Sequence, residues 1–273
     1  MKVVQTVAGV REALMTPREE AMRIGLVPTM GAFHEGHLTL FRTCDQECDV
    51  AVASLFVNPT QFGPTEDLAS YPRDLERDKL LAEEAGIDLL FAPTVEEVYP
   101  LDFQTAVEVT QLGSILEGAS RPTHFRGVAT ICLKLFNIVQ PSVAYFGRKD
   151  AQQAAVIRTM LRDLNLTIEL RVIPIVRDAD GLALSSRNAY LEPDERRRAL
   201  ALSQALQAGL EACRAGGGTE AALATARRML DSAEGIVVDY LAVADLDGPT
   251  LAGAVRVGST RLIDNVLLDE EAR

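Results

Sequence analysis

Residues 50–57 read VAVASLFV, and only one residue in this run of eight is polar. An unbroken apolar run of strand length is typical of a parallel strand that other elements cover on both faces. A second such run, IGLVPT, occupies 24–29, and the pattern GHLTLFRTCDQ at 36–46 is helical. A helical pattern at 73–86 and the apolar run IDLLFAP at 87–93 follow. Strands that alternate with helices predict βαβ units, and therefore a parallel sheet with 50–57 as an interior strand.

The same alternation continues through the first two thirds of the chain. Helical patterns at 127–139 and 150–164 alternate with strand patterns at 142–146 and 167–173. We therefore expect an α/β fold, in which residues 1–174 form a Rossmann-like parallel sheet with helices on both faces.

The pattern changes after Pro174. An irregular connector leads to a helix that Pro193 opens and that the glycines at 216–218 close, which are the ends where helices favour these residues. Another helix and three short strand patterns, the last of them at 260–268, complete the chain. This predicts a smaller α+β domain over residues 175–273.

Composition and charge limit the kinds of partner. Of the 273 residues, 48% are hydrophobic and 24% are charged, which is ordinary for a globular protein. The net charge of −12 argues against a nucleic-acid partner. No apolar run approaches the roughly 18 residues of a membrane helix, so we expect a cytoplasmic protein without a membrane partner. The four cysteines lack CxxC spacing, which favours buried free thiols over the alternative of a disulfide or metal role.

The segment VPTMGAFHEGHLTL, at 27–40, has the features of an anion site. A strand ends in Pro-Thr, Gly31 permits a tight turn, and a helix begins near Gly36, so that N–H groups at the helix start face a ligand above the sheet. His34 and His37 stand there, and they can donate hydrogen bonds to phosphate oxygens. The alternative is that the two histidines only cap the helix. A metal site is disfavoured because the HExxH spacing is absent.

Two other connections carry polar or basic side chains. Asn58 and Gln61 open a long polar connection after the strand at 50–57, at the end of the strand where open α/β sheets bind ligands. Arg121, His124 and Arg126 lie together before a helix, and the two arginines would bring positive charge toward an anionic ligand, against the acidic balance of the chain. Taken alone, the first segment could be a turn with satisfied amides.

Two later segments repeat this chemistry. GRKDAQQ, at 147–153, offers Lys149 for a phosphate, Asp150 for a ribose hydroxyl or a helix cap, and Gln153 one turn further along the helix. GLALSSRN, at 181–188, offers two hydroxyls and an arginine in a loop that could close over a polyphosphate and exclude water. The alternatives are a solvated basic pair for the first and a serine-rich capping turn for the second.

The motifs together resemble one known family. PTMGxxHxGH, FVNPxQF, YPR, RPxHFRGV, KLFNIVxP, FGxKDxQQ and SSRN occur in this order over residues 1–188. This series resembles the pantothenate synthetase family, the pantoate–β-alanine ligases. The first and last of these motifs look like the HIGH and KMSKS signatures of the wider nucleotidyltransferase superfamily.

The resemblance implies a role for each matching residue. His37 would be the proton-donating catalytic residue, with His34 beside it on the phosphates and with Lys149 and Arg187 as the other catalytic groups. Gln61 and Gln153 would bind pantoate, and Gln61 would also meet β-alanine, because amides both donate and accept hydrogen bonds. The implied ATP site consists of Met30, Gly31, Ala32, Phe33, His34, Glu35, Gly36, His37, Gly147, Arg148, Lys149, Asp150, Val176, Leu184, Ser185, Ser186 and Arg187.

The resemblance also implies a reaction in two halves. The pantoate carboxylate attacks the α-phosphorus of ATP to give pantoyl adenylate and pyrophosphate, and the amine of β-alanine then displaces AMP to give pantothenate. ATP would enter with Mg²⁺ as a substrate, with no tightly bound cofactor and no metal ligands on the protein, because ATP itself holds most of the magnesium. The expected partners are these small molecules and a second copy of the chain in a homodimer, and the C-terminal domain would serve as a lid or in dimer formation.

The chain departs from the family pattern at a few positions. Phe33, Thr60 and Leu184 stand where the family commonly has Leu, Met and Met, and none of these changes removes a charged group. Two other functions share part of the chemistry: a nucleotidyltransferase that adenylylates a phosphate substrate and a noncatalytic nucleotide sensor. The first would not need paired glutamines, and the second would hardly need the LSSRN loop.

Overall fold

The computed structural model describes residues 1–64 and 66–268, which fall into two compact units. The first unit contains 1–147 and 152–173, and the second contains 148–151 and the chain from Pro174 onward. No helix in the described ranges is long and apolar enough to cross a bilayer. The strands are β1 Lys2–Val4, β2 Ile24–Thr29, β3 Val50–Leu55, β4 Leu89–Phe91, β5 Val143–Gly147, β6 Glu169–Ile173, β7 Ile236–Asp245, β8 Pro249–Val257 and β9 Thr260–Leu267. The helices are α1 Val7–Ala13, α2 Met15–Glu19, α3 Glu35–Glu47, α4 Leu75–Glu84, α5 Val95–Val98, α6 Glu117–Ser120, α7 His124–Val139, α8 Ala151–Asp163, α9 Pro193–Ala212 and α10 Gly218–Asp231.

The first unit contains a six-stranded parallel sheet in the order β1-β4-β3-β2-β5-β6. Strand β3, the centre of the run VAVASLFV, pairs with β2 on one side and with β4 on the other. Its residues 51–54 are all buried. The prediction of an α/β fold with this run as an interior strand is confirmed.

Alternate residues of the central strands enter two separate hydrophobic clusters. Leu26 and Val52 pack in a cluster that includes many residues of α7 and α8. Val27 and Ala53 pack in the other cluster, with Phe41 of α3 and further residues of α4. Because successive side chains of a strand point to opposite faces, the sheet is covered on both sides, which explains why its strands lack polar alternation.

The second unit contains an antiparallel sheet in the order β7-β8-β9. Its core is formed mainly by leucines, valines and alanines of the three strands together with α9 and α10. As the sequence predicts, Pro193 is the first residue of α9. The regular helix ends at Ala212, and a wider helical turn continues to Gly217, where the positive φ of Gly216 (+92°) interrupts it. The expected combination of helices and strands is therefore present, but the strands are longer than expected, with 10, 9 and 8 residues.

Candidate active site

His34 and His37 begin helix α3 directly after the turn that follows β2. The His34 Nδ1 accepts a hydrogen bond from the Gly36 N–H at 3.2 Å, and the His37 Nδ1 accepts one from the His34 N–H at 3.4 Å. The two rings lie 4.2 Å apart between centroids. A nitrogen that accepts from an N–H carries no proton, so each neutral ring keeps its proton on Nε2. The histidines therefore cap the helix, as the structural alternative proposed, and also hold Nε2–H donors at its N-terminus.

A buried carboxylate holds the turn before this helix. The two oxygens of Asp78, a residue of α4, accept hydrogen bonds from the N–H groups of Ala32 and Phe33, each at 2.8 Å. Gly31 has a φ of +90°, and a Cβ at that position would lie 2.9 Å from Asp78 Oδ2. The pKa of Asp78 is raised above its usual value, because burial outweighs the hydrogen bonds from Phe33 and Ala32, which lower it. Nothing in the sequence marks Asp78 among the other acidic residues of this helix, so its role could not be predicted.

Asn58 orients the side chain of Gln61. Asn58 is 1% exposed, and its Nδ2 donates to Gln61 Oε1 at 3.0 Å and to the Gly127 carbonyl at 3.2 Å. Its Oδ1 accepts from the hydroxyls of Thr60 and Tyr99, each at 2.9 Å. These partners fix which end of the Asn58 amide is the donor, and they therefore turn the Gln61 Nε2 away from Asn58. The Gln61 Nε2 lies 2.9 Å from the sulfur of Met30, so two of the sequence-predicted residues are in contact.

Arg121 is neutralised by an acidic partner. Its Nε and Nη2 donate to the two carboxylate oxygens of Glu66 at 2.8 and 2.6 Å, and a second carboxylate, that of Glu117, lies 3.9 Å from Nη1. Burial alone would raise the pKa of Glu66, but the hydrogen bonds and charge of Arg121 lower it. The expectation that Arg121 brings uncompensated positive charge to a ligand is wrong, because this fork-shaped pair satisfies the guanidinium within the protein.

His124 adds no positive charge either. Arg121 Nη1 lies 3.2 Å from His124 Nε2, and the His124 Nδ1 lies 3.0 Å from the Gln61 carbonyl oxygen. A guanidinium only donates and a carbonyl only accepts, so Nε2 is unprotonated and Nδ1 carries the single proton. Burial and then the charge of Arg121 lower the pKa of His124 to about 4. The ring is therefore neutral at physiological pH, and it holds the backbone of Gln61.

This neutral histidine makes folding stability depend on pH. Between pH 6.5 and about 4, the unfolded chain protonates His124 and the folded chain does not, so we expect the free energy of unfolding to fall as the pH is lowered through this range. The full contribution of this pKa difference to the free energy of unfolding is on the order of 3 kcal/mol. Urea unfolding at several pH values measures it, with His124→Asn as the reference because asparagine keeps a donor and an acceptor but does not titrate. Equal pH dependence in the two proteins would contradict this assignment.

The two neighbouring glutamines at the start of α8 differ in their contacts. Gln152 is buried, and its side chain bonds the carbonyls of Leu112 and Ile115 and the N–H of Glu117. Gln153 is only partly buried, and no hydrogen bond joins its side chain to any residue of 1–64 or 66–268. Gln152 is thus a structural residue, and the amide of Gln153 is available to a ligand.

The second unit contains the basic segment at 148–150. These residues form a helical turn, and Lys149 Nζ lies 3.7 Å from Asp150 Oδ1. The guanidinium of Arg148 donates to the Thr250 hydroxyl at 3.2 Å. Asn265 of β9 donates to the carbonyls of Arg148 and Lys149, each at 2.9 Å.

Residues 176–188, in the same unit, form a compact loop. The Leu184 N–H donates to the Val176 carbonyl at 3.0 Å, which brings together two of the sequence-predicted nucleotide residues. The Ser185 hydroxyl accepts from the Arg187 N–H at 3.3 Å and caps a helical turn over Ser186–Tyr190. The alternative of a serine-rich turn that caps the following helix is met only in part, because Ser185 caps Ser186–Tyr190 whereas Glu192 is the N-cap of α9.

Comparison with known proteins gives a consistent result. The family model described as pantoate-beta-alanine ligase matches residues 2–267. A pantothenate synthetase of Moorella thermoacetica is 53% identical, over 98% of this chain and 99% of the relative. Pantothenate synthetase 1 of Bradyrhizobium diazoefficiens is 52% identical, over 98% of each chain.

Solved structures agree with the sequence relatives. The crystal structure of pantothenate synthetase from Thermus thermophilus superposes with a TM-score of 0.93 and 48% identity, and covers 98% of this chain and 99% of that chain. A pantoate-beta-alanine ligase from Francisella tularensis, solved as a complex with beta-gamma ATP and beta-alanine, has a TM-score of 0.84 and 31% identity, over 100% of both chains.

Proposed function

The chain belongs to the pantoate–β-alanine ligase family of ATP-dependent enzymes that condense pantoate with β-alanine, and from this premise we propose which of its residues perform the reaction. The observation that carries the proposal is that the Nδ1 atoms of both histidines at the start of α3 accept backbone N–H groups, which leaves the proton of each ring on Nε2. Donors fixed at a helix N-terminus suit a phosphate whose negative charge grows during attack at phosphorus.

Four side chains stabilise this developing charge. His37 donates a proton or a hydrogen bond to the phosphate oxygens, and His34 acts beside it. Lys149 and Arg187 neutralise the phosphates, Lys149 as a point charge and Arg187 as a planar fork. These cations matter because a carboxylate must approach a triphosphate, and both reactants are anions.

The remaining nucleotide contacts are those that the family resemblance implies. They are Met30, Gly31, Ala32, Phe33, Glu35, Gly36, Gly147, Arg148, Asp150, Val176, Leu184, Ser185 and Ser186. Gly31 at φ +90° and Ala32 at +53° support this assignment, because the tight turn leads the main chain directly to the histidines at the start of α3.

Pantoate binds through Gln61 and Gln153, and Gln61 also contacts β-alanine. The hydrogen bond from Asn58 to Gln61 Oε1 supports a donor role for the Gln61 Nε2 toward the substrate. Gln153 keeps both ends of its amide for pantoate, which offers hydroxyls and a carboxylate. Because Asn58 occupies Gln61 Oε1, Gln61 offers the substrate mainly its Nε2 donor. Gln61 therefore favours a hydrogen-bond acceptor of the substrate over a donor.

The reaction then proceeds in two substitutions. A pantoate carboxylate oxygen attacks the α-phosphorus of ATP, and the bond to pyrophosphate breaks. The neutral amine of β-alanine next attacks the acyl carbon of pantoyl adenylate, AMP leaves, and the new amide nitrogen loses a proton. The 181–188 loop limits access of water to the adenylate, which would otherwise hydrolyse.

Magnesium enters as part of the Mg–ATP substrate. The phosphates of ATP supply most of its oxygen ligands, because Mg²⁺ usually keeps several waters and binds substrate phosphates rather than an all-protein cage. Loss of turnover on chelation by EDTA, and its recovery with added Mg²⁺, tests this assignment.

The domain roles and the assembly state complete the proposal. Residues 1–174 act as the Rossmann-like domain that binds nucleotide and pantoate, and 175–273 act as the lid or in dimer formation. The protein is a cytoplasmic homodimer, as in the family that its motifs resemble. Light scattering and cell fractionation test these two statements, and a monomeric mass at working concentration contradicts the first.

Exchange of labelled pyrophosphate into ATP tests the proposed mechanism. With pantoate, Mg–ATP and no β-alanine, we expect rapid exchange, because the first substitution is reversible and all of its reagents are present. An enzyme that adenylylates phosphate substrates would exchange only with its own acceptor, and a nucleotide sensor would not exchange. If pantothenate forms with β-alanine but no exchange occurs without it, the free adenylate is excluded and a concerted route replaces it.

A further inference from the structure

Asn265 is a buried polar residue of β9 with no role in the mechanism above. It is 3% exposed, and its Nδ2 donates to the carbonyl oxygens of Arg148 and Lys149, each at 2.9 Å. An amide nitrogen has two protons, and here each proton serves one of two successive carbonyls. The opposite orientation of the amide would set its oxygen against both carbonyls, so the hydrogen bonding itself fixes the orientation.

Residues next to Asn265 fix its position in turn. The neighbouring Asp264 is 5% exposed, and its Oδ1 accepts the backbone N–H of Asn265 at 2.8 Å. The same carboxylate forms a fork-shaped pair with Arg177, at 2.7 and 2.9 Å. The Thr250 hydroxyl of β8 accepts from Arg148, so two strands of the small sheet bind the turn at 148–150.

These contacts constrain the main chain on both sides of one side chain. The carbonyl of Arg148 precedes the Lys149 Cα and the carbonyl of Lys149 follows it, so holding both leaves only the side-chain torsions of the lysine free. We propose that Asn265 is a positioning residue, which places Lys149 for the phosphates of ATP through these two carbonyls. The proposal rests on the function proposed for Lys149. It gives the C-terminal sheet a part in the chemical step.

A double-mutant cycle tests this role. Pyrophosphate exchange is measured for the full-length wild type, Asn265→Ala, Lys149→Ala and the double variant, with rates expressed per folded molecule. We expect Asn265→Ala to lower the maximal exchange rate by about tenfold or more and to leave the KM for pantoate within about twofold. In the Lys149→Ala background the same change should have little further effect, because coupled sites are not additive.

Matched variants separate positioning from stability. Val266→Ala weakens the same strand, but its side chain packs in the core of the second unit, so we expect an exchange rate within about twofold of wild type. Asn265→Ser has a single hydroxyl donor on a shorter side chain and can satisfy at most one carbonyl, so we expect an intermediate rate. It also provides a second readout should Asn265→Ala fold poorly.

The outcomes distinguish this inference from the function on which it rests. A wild-type exchange rate for Lys149→Ala would overturn both. A slow Lys149→Ala enzyme with a normal Asn265→Ala enzyme would overturn the positioning role alone. Equal losses from Asn265→Ala in both backgrounds would also overturn it, because Asn265 would then act independently of the lysine.

Discussion

Replacement of Lys149 or of His37 by alanine is expected to lower turnover by about 10² or more in each case. In the proposed mechanism each change removes a donor to charge that develops on the phosphates, and the loss of one such donor has effects of this size in other enzymes. Steady-state kinetics with both substrates saturating measures the effect. Lys149→Ala should leave the free energy of unfolding nearly unchanged, because its ammonium group lies outside the hydrophobic cores.

Conservative variants of His37 separate its two roles. His37→Asn places an amide oxygen near the position of Nδ1, which keeps the contact from the His34 N–H but removes the donor at Nε2. His37→Gln places a donor near the position of Nε2 and loses the cap. We expect the glutamine variant to be the more active and the asparagine variant the more stable. The reverse order of activities would show that His37 acts through the helix cap.

Lys79→Ala is the control for the loss of a lysine. Lys79 pairs with Glu76 on α4, at 2.7 Å, and has no place in the proposed reaction. We expect the turnover of the Lys79→Ala enzyme to stay within about twofold of wild type. A wild-type rate from the Lys149→Ala or His37→Ala enzyme would remove that residue from the proposed catalytic group.

Replacement of Asp78 by alanine is expected to lower both stability and activity. The N–H groups of Ala32 and Phe33 would lose their acceptors, and Phe33 is a buried residue. A hydrogen bond to a charged group contributes about 1.5–3 kcal/mol, so we expect the free energy of unfolding to fall by at least about 2 kcal/mol. We expect turnover to fall by about tenfold, because the turn that leads to His34 is no longer fixed.

Two further variants, at Asp78 and at the N-cap of α4, test whether the lost hydrogen bonds of the turn cause these effects. Asp78→Asn keeps one acceptor oxygen but places an amide group against the second N–H, so we expect an intermediate stability. Asp74→Ala removes the helix cap that accepts from the Arg77 N–H at 3.1 Å, and it should cost about 1 kcal/mol without a change in turnover. Equal activity of Asp78→Ala and wild type, measured on the folded protein, would show that the turn holds its shape without this carboxylate.

The fold could be predicted from sequence because its signals are local. The apolar run at 50–57 by itself predicts that both faces of β3 are covered. Gly31, His34 and His37 by themselves predict a tight turn followed by a helix start. Asp78 and Asn265 could not be predicted, because their partners lie 46 and 116 residues away in the chain. The neutralisation of Arg121 could not be predicted for the same reason, since its partner Glu66 is 55 residues distant.

The bonds from β9 to the turn at 148–150 limit how this enzyme could be rebuilt. A six-stranded sheet transplanted without β9 would keep its strands and the sequence of the lysine segment but would lose the amide of Asn265. A C-terminal sheet taken from another protein would have to supply an amide donor within hydrogen-bond distance of the carbonyl oxygens of Arg148 and Lys149. The same requirement applies to natural recombination. A crossover between residues 150 and 265 that joins this turn to a C-terminal sheet without the asparagine should give chimeras that fold but have a low turnover.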